Sequence, residues 1–412
     1  MFFTSLKVLL AGLLVLFWQQ QHPAPQNPPQ VSAPKKEARP QVPREPAKTA
    51  RVVLISIPGL GADFLSHSIQ KGARVPNLEE AGRKGAKVST LEGVYPSLVV
   101  PSHATILSGM LPADHGITAD HPFDSASAST VETTEWRLSN LKIPTILDAV
   151  SSTGMTIASQ GFPLVPDSGG SSSLNSGLEL YCLMGLSDTE AKFGPDSREA
   201  LAALETIDTR LGEILARSSA SASVLIVTDG GREAVEREFR PNAVLAKKKY
   251  LVANPDGRIG QWRAVCQAFG GSAGIRLADP KDEKLATELI KVFTEVSDKP
   301  PAPVWRIVDK QSAAKLGADP AFAFFLEAAP HYVMSERPTG DVESASKVRG
   351  SAGYLPQRSL MRGVLIAKGL GIKAGSKLEY ARLVDVAPTI ARLLGLEMRV
   401  TKGRVLKEMF DQ

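Results

Sequence analysis

Cysteine is scarce in this chain of 412 residues, and its spacing excludes several classes of protein. Cys182 and Cys266 are 84 positions apart, and no C-x-x-C pattern occurs. A zinc-ribbon or thioredoxin-like protein is therefore excluded, because both need closely spaced cysteines. A disulfide between the two would suit an exported domain, while two buried free thiols are the commoner arrangement. The sequence leaves both alternatives open.

An uninterrupted apolar run of the roughly 20 residues that a membrane-spanning helix needs is also absent. The amino-terminal run at residues 8–18 contains eleven residues and follows Lys7. Its length is typical of a signal-peptide core, but no small-x-small cleavage site follows it. Residues 1–21 are therefore predicted to be either a signal peptide or a membrane anchor formed by residues 1–18. Both alternatives predict export to the periplasmic or extracellular side of a membrane.

Residues 22–50 have too few apolar side chains to form a core. They contain eight prolines, with Gln, Ala and Lys between them. This composition favours polyproline II, in which each residue extends the chain by about 3.1 Å. The segment is predicted to be a disordered tether of roughly 90 Å that holds the folded domain off a membrane.

The excess of positive charge is confined to the amino-terminal part of the chain. There are 48 Lys and Arg against 43 Asp and Glu, a formal net charge of +5. Lys7 contributes one, and residues 19–51 hold six basic and two acidic side chains, so 41 of each sign remain elsewhere. A nucleic-acid-binding domain carries its basic excess on the folded part. The neutral remainder argues against a nucleic-acid partner.

From residue 51 onward, apolar strands alternate with amphipathic helices. Residues 52–57 (VVLISI) are continuously apolar or β-branched, as expected for a strand buried on both faces of a parallel sheet. Further strands are predicted at residues 155–159, 224–228 and 363–368. Helices are predicted at residues 62–70, 77–84, 143–152, 198–216, 285–295 and 385–394. The alternation predicts a three-layer α/β domain with a mostly parallel central sheet over residues 51–400, and a tail at 401–412. The looser pattern at about residues 231–346 predicts a smaller inserted cap.

The stretch at residues 94–117 has the features of a nucleophile loop. A short apolar run leads to Tyr95-Pro96-Ser97, and a helix-like segment follows that ends at Ser108-Gly109. Ser97 is therefore predicted between a strand end and a helix start, where unpaired backbone N–H groups favour an anion. A nucleophile that acts on a phosphate ester belongs at such a place.

Other serines, histidines and aspartates carry weaker signals. His103 and His115 are predicted to be hydrogen-bonded structural residues that brace the loop around Ser97. Residues 270–274 spell G-x-S-x-G, but a helix-like RAVCQAF precedes them and a strand-like GIRL follows, the reverse of a nucleophile elbow. A turn in the cap is predicted there. Three aspartates are predicted to cap helices or turns: Asp63, Asp114 and Asp120.

Seven segments occur in an order that is typical of one enzyme family. They are VLISIPGLGADFL, VPNLEEAGRKGAKV, YPSLVVPSHATILSGMLPADHGI, IDTRLGEIL, VLIVTDGG, GSAGYLPQ and LVDVAPTIARLLGL. Together, over roughly residues 51–400, they resemble the nucleotide pyrophosphatase/phosphodiesterase (type I phosphodiesterase) branch of the alkaline phosphatase superfamily. The resemblance implies a three-layer α/β/α fold and two zinc ions at the carboxyl ends of the strands, which activate a Ser or Thr nucleophile.

By this resemblance the nucleophile position falls on Ser97, but most metal-ligand positions lack donor side chains. Asp229 keeps one carboxylate, and Asp188 is a second residual candidate. The other ligand positions fall on Pro58, Ala191, Gly230 and Ala352. A zinc ion needs at least three protein ligands of N, O or S type. The resemblance therefore implies that the dizinc site is lost, unless a rebuilt site holds two zinc ions.

Two functions follow from this pattern. The first is an exported or membrane-anchored phosphodiesterase-like homologue that does not catalyse, but binds a phosphate ester or small anion or regulates a partner. The second is an active phosphodiesterase or phosphatase with Ser97 as nucleophile and a metal site rebuilt around Asp229 and Asp188. A third role, as a spacer in the envelope, would use only the tether.

Overall fold

The computed structural model describes residues 51–168, 177–218 and 222–411. The first strand of this part of the chain lies inside a seven-stranded sheet. The described residues form nineteen strands: β1 (Arg51–Ser56), β2 (Ala86–Glu92), β3 (Phe123–Asp124), β4 (Ser129–Thr130), β5 (Thr156–Gln160), β6 (Gly177–Cys182), β7 (Ala222–Val227), β8 (Glu233–Phe239), β9 (Leu251–Ala253), β10 (Ile259–Trp262), β11 (Ala264–Ala268), β12 (Ser272–Leu277), β13 (Val304–Asp309), β14 (Phe324–Ala328), β15 (His331–Met334), β16 (Glu343–Ala345), β17 (Gly350–Ser351), β18 (Gly363–Gly369) and β19 (Lys377–Arg382).

The described residues also form eleven α-helices. They are α1 (Ala62–Gln70), α2 (Pro76–Lys84), α3 (Val99–Ser108), α4 (Pro112–His115), α5 (Ile146–Ser151), α6 (Leu186–Phe193), α7 (Arg198–Arg217), α8 (Pro241–Lys247), α9 (Glu283–Ser297), α10 (Lys310–Lys315) and α11 (Val386–Leu393).

The central sheet has the strand order β19-β2-β18-β7-β1-β6-β5. Its neighbouring strands are parallel except at β18, which runs antiparallel to both β2 and β7. The carboxyl ends of β1, β2 and β7 therefore meet at one edge of the sheet. In open α/β sheets this edge carries the functional loops.

Two layers of helices cover the sheet, which explains why β1 is apolar on both faces. Val52 and Leu54 pack with α3, α5 and α11 in one core. Val53 and Ile55 pack with α1, α2 and α7 in the other. All four side chains are fully buried. The fold is thus the predicted three-layer α/β arrangement with a mostly parallel central sheet.

A second group of sheets lies between residues 233 and 351 of the chain. Its four-stranded sheet has the order β11-β12-β14-β13 and is antiparallel throughout. A further sheet, β15-β8-β16, lies beside it, and both share a core with α8 and α9. This region overlaps the segment at about residues 231–346 that is predicted to form a smaller inserted cap, and it is called the cap below.

Three details differ from the sequence-based predictions or sharpen them. RAVCQAF, predicted to be helix-like, contains strand β11, because it pairs with β12 along its whole length. Leu406, Met409 and Phe410 are buried in a core of the central domain, so the predicted tail packs against the sheet. Cys182 and Cys266 are both free and buried, which matches the alternative of two free thiols.

The predicted signal or anchor and the tether, residues 1–50, lie outside the described residues. Among the described helices, none is both long and apolar enough to cross a membrane.

Candidate functional site

Ser97 lies in the loop of residues 93–98, called here the Ser97 loop, which connects β2 to α3. Its side chain is buried, and its Oγ donates a hydrogen bond to the Val94 carbonyl oxygen at 2.9 Å. The Gly353 N–H donates to the Ser97 carbonyl oxygen at 2.9 Å, which ties the loop to the segment after the cap. The structure therefore holds Ser97 at the predicted strand-to-helix position, with its hydroxyl proton directed at a backbone carbonyl.

Asp229 approaches the same place from the carboxyl end of β7. A Cβ atom placed on Gly93 would lie 3.3 Å from the Asp229 carbonyl oxygen and 3.9 Å from Ser97 Oγ, so the two segments are close neighbours. The Asp229 Oδ1 accepts a hydrogen bond from the Gly59 N–H at 2.9 Å. Burial raises the pKa of Asp229 to about 6, against the opposing effects of Gly59 and Arg232. The carboxylate is thus held at the end of β1, beside the position of the lost aspartate.

The second carboxylate of the site is Glu190, and the sequence analysis missed it. Asp188, the predicted candidate, lies on the exposed side of α6. Glu190 is fully buried, and its Oε2 lies 2.6 Å from the point where a Gly59 Cβ would be. Burial raises the Glu190 pKa to about 9, Arg232 lowers it, and Asp229 raises it. At neutral pH Glu190 is therefore protonated.

Arg232 is the common neighbour of these carboxyl groups. Its charge lowers the pKa of Asp229, of Glu190 and of Asp120. One guanidinium nitrogen, Nη2, donates a hydrogen bond to the Ser187 Oγ at the start of α6. Among the described residues, neither the Arg232 Nε nor either Glu190 carboxyl oxygen has a hydrogen-bond partner. The Arg232 guanidinium therefore lies near the carboxyl groups. Its Nε and the Glu190 carboxyl oxygens can each form a further hydrogen bond.

The remaining ligand positions offer no donors, and one of them has no room for a side chain. Gly230 has a φ of 122°, and a Cβ there would lie 2.6 Å from the Met361 carbonyl oxygen. The Ala191 carbonyl oxygen accepts a hydrogen bond from the Arg349 N–H, and the Ala352 carbonyl oxygen accepts one from the Gly271 N–H. Neither alanine has a side chain that could bind a metal ion.

These residues do not fit the two zinc ions that the resemblance implies. No group of three or more His, Cys, Asp or Glu side chains in the described part of the chain could hold a metal ion. The fixed positive charge of Arg232 beside Asp229 and Glu190 also repels a divalent cation. The donor set and the local charge both disfavour zinc.

The histidines next to the loop are structural, as the sequence predicts. His103 shares its Nδ1 proton with the Val99 carbonyl at 2.7 Å, and its Nε2 lies 2.8 Å from Ser56 Oγ. The His115 Nε2 lies 3.1 Å from Thr105 Oγ1. Burial lowers the pKa of each histidine to about 4. His103 therefore uses both ring nitrogens for bracing contacts and is not placed as a base for Ser97.

The G-x-S-x-G segment spans the end of the turn between β11 and β12 and the first three residues of β12. Ser272 is buried, and its Oγ donates a hydrogen bond to the Gly353 carbonyl oxygen at 2.6 Å. No helix follows this serine, since β12 begins at it. The predicted turn is therefore confirmed only at Gly270 and Gly271, and the Ser272 hydroxyl joins the cap to the segment behind the Ser97 loop.

A groove of about 570 Å³ opens in front of the Ser97 loop, between the start of α3 and the cap. We call it the Asp120 groove, because Asp120 lines it and accepts a hydrogen bond from the Val100 N–H at 2.8 Å. This confirms Asp120 as a helix cap. Arg232, Glu336 and Ala352 also line the groove. The carboxylate of Asp120 thus takes the place at the helix start that an anion would otherwise occupy.

Known proteins share this fold and parts of this sequence. A bis(5'-adenosyl)-triphosphatase of Xenopus laevis is 28% identical over 79 residues, which is 19% of this chain and 16% of that protein. An uncharacterized pyrophosphatase/phosphodiesterase of Schizosaccharomyces pombe is 34% identical over 73 residues, 18% of this chain and 14% of that protein. The matched stretches thus span about a sixth of these relatives' length.

The likeness in structure is more extensive. The inactive murine ectonucleotide pyrophosphatase/phosphodiesterase 5 in complex with AMP has a TM-score of 0.65 and 15% identity, covering 89% of this chain and 100% of that one. The human ectonucleotide pyrophosphatase/phosphodiesterase 5 has the same TM-score at 16% identity and the same coverage. At this identity the likeness shows the fold alone, an alkaline-phosphatase-like one. Residues 52–171 and 180–354 match the family described as type I phosphodiesterase / nucleotide pyrophosphatase, and the chain therefore belongs to that family.

Proposed function

We propose that this protein is an exported, non-hydrolysing member of its family that binds a ligand where its relatives would hold metal and substrate. The observation that carries this proposal is the position of Arg232 among Asp229 and Glu190. A guanidinium that lowers the pKa of both carboxyl groups supplies positive charge there without a metal ion. Export is supported by the apolar amino-terminal segment and by the names of the ectonucleotide relatives.

The state of Ser97 also supports a role without hydrolysis. A serine hydroxyl becomes an efficient nucleophile when an adjacent base or a metal ion removes its proton. Here the Ser97 hydroxyl donates to the Val94 carbonyl, which cannot take up a proton. His103 is engaged with Val99 and Ser56. An active hydrolase, the second function predicted from the sequence, would need both a base for the Ser97 hydroxyl and a metal site formed by other residues.

Metal analysis and a hydrolysis assay on one preparation test this proposal. The full chain is taken from the membrane or external fraction, and recovery in the cytoplasm contradicts the export part. We expect less than stoichiometric zinc and no turnover of bis(4-nitrophenyl) phosphate above that of the Ser97→Ala variant. The matched control is Ser66→Ala, at an exposed serine on α1. Stoichiometric zinc, together with a rate that Ser97→Ala abolishes and Ser66→Ala does not, would restore the hydrolase.

For the ligand, we propose a phosphate ester held with the help of Arg232, at the Asp120 groove. The murine relative in complex with AMP gives the class of compound. The groove offers cationic side chains from Arg232, Arg337 and Lys347. Asp120 opposes such a ligand, because its carboxylate lies at the start of α3, where the helix dipole would favour the phosphate.

The Asp120→Asn variant should therefore bind AMP more tightly than the natural chain. The amide keeps an oxygen that can accept from the Val100 N–H, while one negative charge leaves the groove. Removing a like charge of this kind contributes about 1 to 2 kcal/mol, so we expect the Kd for AMP to fall about tenfold. Titration calorimetry at fixed ionic strength measures it. Glu132→Gln, at another carboxylate of the same groove, is the matched control and should change the Kd less. Unchanged binding in Asp120→Asn would argue against a phosphate at this helix start.

A further inference from the structure

A second cavity, of about 700 Å³, lies on the other side of Arg232, between α1 and the cap. We call it the Trp305 cavity. Phe64 and Ser68 of α1, Lys71 directly after that helix, and Trp305 of β13 line it. Leu360 and Arg232 also line the cavity. Small-molecule sites are typically concave and mostly apolar, with a few polar groups that converge on the ligand. This cavity has that composition, and neither the Ser97 loop nor Asp229 lines it.

Trp305 is an unusual residue to leave exposed, and it is held in place. Its side chain is 56% exposed, although a large aromatic ring gains by burial. The Arg358 guanidinium lies 5.0 Å from the ring centroid. Arg358 itself is fixed by ion pairs to Glu233 at 2.7 Å and to Glu327 at 2.8 Å. The aromatic wall is therefore preformed, which lowers the entropy cost of binding a flat ligand against it.

Two buried polar groups in the cavity lack a partner. The Ser68 Oγ is buried, with the residue 1% exposed, and has no hydrogen-bond partner among the described residues. The Arg232 Nε is the second such atom. Buried polar atoms are almost always satisfied in native proteins, so each unsatisfied one calls for an explanation. A hydroxyl and a guanidinium N–H that line one cavity are both able to donate to a ligand oxygen.

The charges of the lining favour an acidic ligand. Lys71, Arg232 and Arg358 face two acidic side chains, Asp196 and Glu233. Glu233 pairs with Arg358, and Asp196 pairs with Lys71 at 2.8 Å near the rim. Among the Lys, Arg, Asp and Glu side chains of the lining, three cations against two anions leave one positive charge. We propose that the Trp305 cavity binds a planar aromatic compound with one acidic group, its ring against Trp305 and its acid toward Arg232 and Ser68. This site shares Arg232 with the proposed function, but it uses neither Ser97 nor the Asp120 groove, and Trp305 and Ser68 line this cavity and not that groove.

The probe for this site is 2-naphthoate, with its neutral amide, 2-naphthamide, as the partner compound. Both are titrated by calorimetry into the full chain, with detergent-matched buffer as the blank. We expect one molecule of 2-naphthoate per chain and a Kd about tenfold lower than that of 2-naphthamide, because only the acid pairs with Arg232. No binding of 2-naphthoate at millimolar concentration, or equal Kd values for the two compounds, overturns the proposal.

Two variants assign the binding to this cavity. Trp305→Ala should raise the Kd of both compounds at least about tenfold, because the stacked ring loses its partner. Ser68→Ala should raise the Kd of 2-naphthoate by a smaller factor. Tyr380→Ala removes another exposed aromatic ring, from β19, and is the matched control, which should leave both Kd values unchanged. Binding that survives Trp305→Ala at the natural Kd overturns the proposal. Since Trp305 is exposed, its loss leaves the core intact, and a thermal unfolding curve for each variant verifies this.

Discussion

Replacing Arg232 by Met should lower the free energy of unfolding by about 3 kcal/mol at pH 8. The guanidinium is the only basic side chain whose charge lowers the pKa of both Asp229 and Glu190 in the described structure. Removing one partner of a buried charge cluster leaves the other charges desolvated, and this typically costs about 3 to 5 kcal/mol. The lower value applies because Asp229 keeps its hydrogen bond from Gly59.

Urea unfolding followed by circular dichroism measures this loss. Arg258→Met is the matched control, because the Arg258 side chain is 84% exposed and its pair with Asp256 contributes little. We expect that variant to stay within about 0.5 kcal/mol of the natural chain. The double variant Asp229→Asn/Arg232→Met should recover part of the stability, since neither charge then remains buried. A single Arg232→Met variant as stable as the Arg258→Met control would contradict a structural charge cluster.

The sequence predicted the central domain well because its strands are buried on both faces. A strand such as β1 then reads as a continuous apolar run, and the surrounding helices repeat apolar residues at helical spacing. The predicted helix at residues 62–70 has the bounds of α1. Prediction was poorer in the cap, where a half-exposed strand such as β8 (EAVEREF) has four charged residues among seven and no long apolar run.

The site could be predicted only in part, because its replacement residues come from new positions. Ser97 and Asp229 lie at strand ends, which is where the family pattern places its nucleophile and one of its carboxylates. Glu190 and Asp188 are two residues apart on α6, and only the direction of each side chain tells which one is buried. Arg232 follows Asp229-Gly230-Gly231 directly, so a basic residue three positions after the retained aspartate was the available signal. The sequence alone does not show that α6 places Glu190 near Arg232, so the role of this arginine could not be predicted.

Acidification should destabilise the protein through His103 between pH 6.5 and pH 4. Burial lowers the pKa of His103 to about 4 from its ordinary value of 6.5. In that window the unfolded chain binds the proton and the folded chain does not, so stability falls as the pH falls. Above pH 6.5 both states are neutral, and below pH 4 both are protonated, so the loss is complete there. The difference between these two pKa values corresponds to about 3 kcal/mol of unfolding free energy.

The effect of this one histidine is measured as a difference between two pH profiles of unfolding free energy. The natural chain is compared with His103→Gln, which keeps a polar group near Val99 and Ser56 but cannot take up a proton. The comparison is necessary because Glu190 and Glu327, with pKa values raised to about 9 and about 8, stabilise the fold as the pH falls through the same range. His103→Gln leaves those carboxyl groups unchanged, so their contribution cancels.

His331→Gln, at an exposed histidine, is the matched control. The gap between the natural chain and His103→Gln should be widest above pH 6.5 and close by about 3 kcal/mol towards pH 4. A gap between the natural chain and His103→Gln that stays constant with pH would mean that the buried imidazole does not resist protonation.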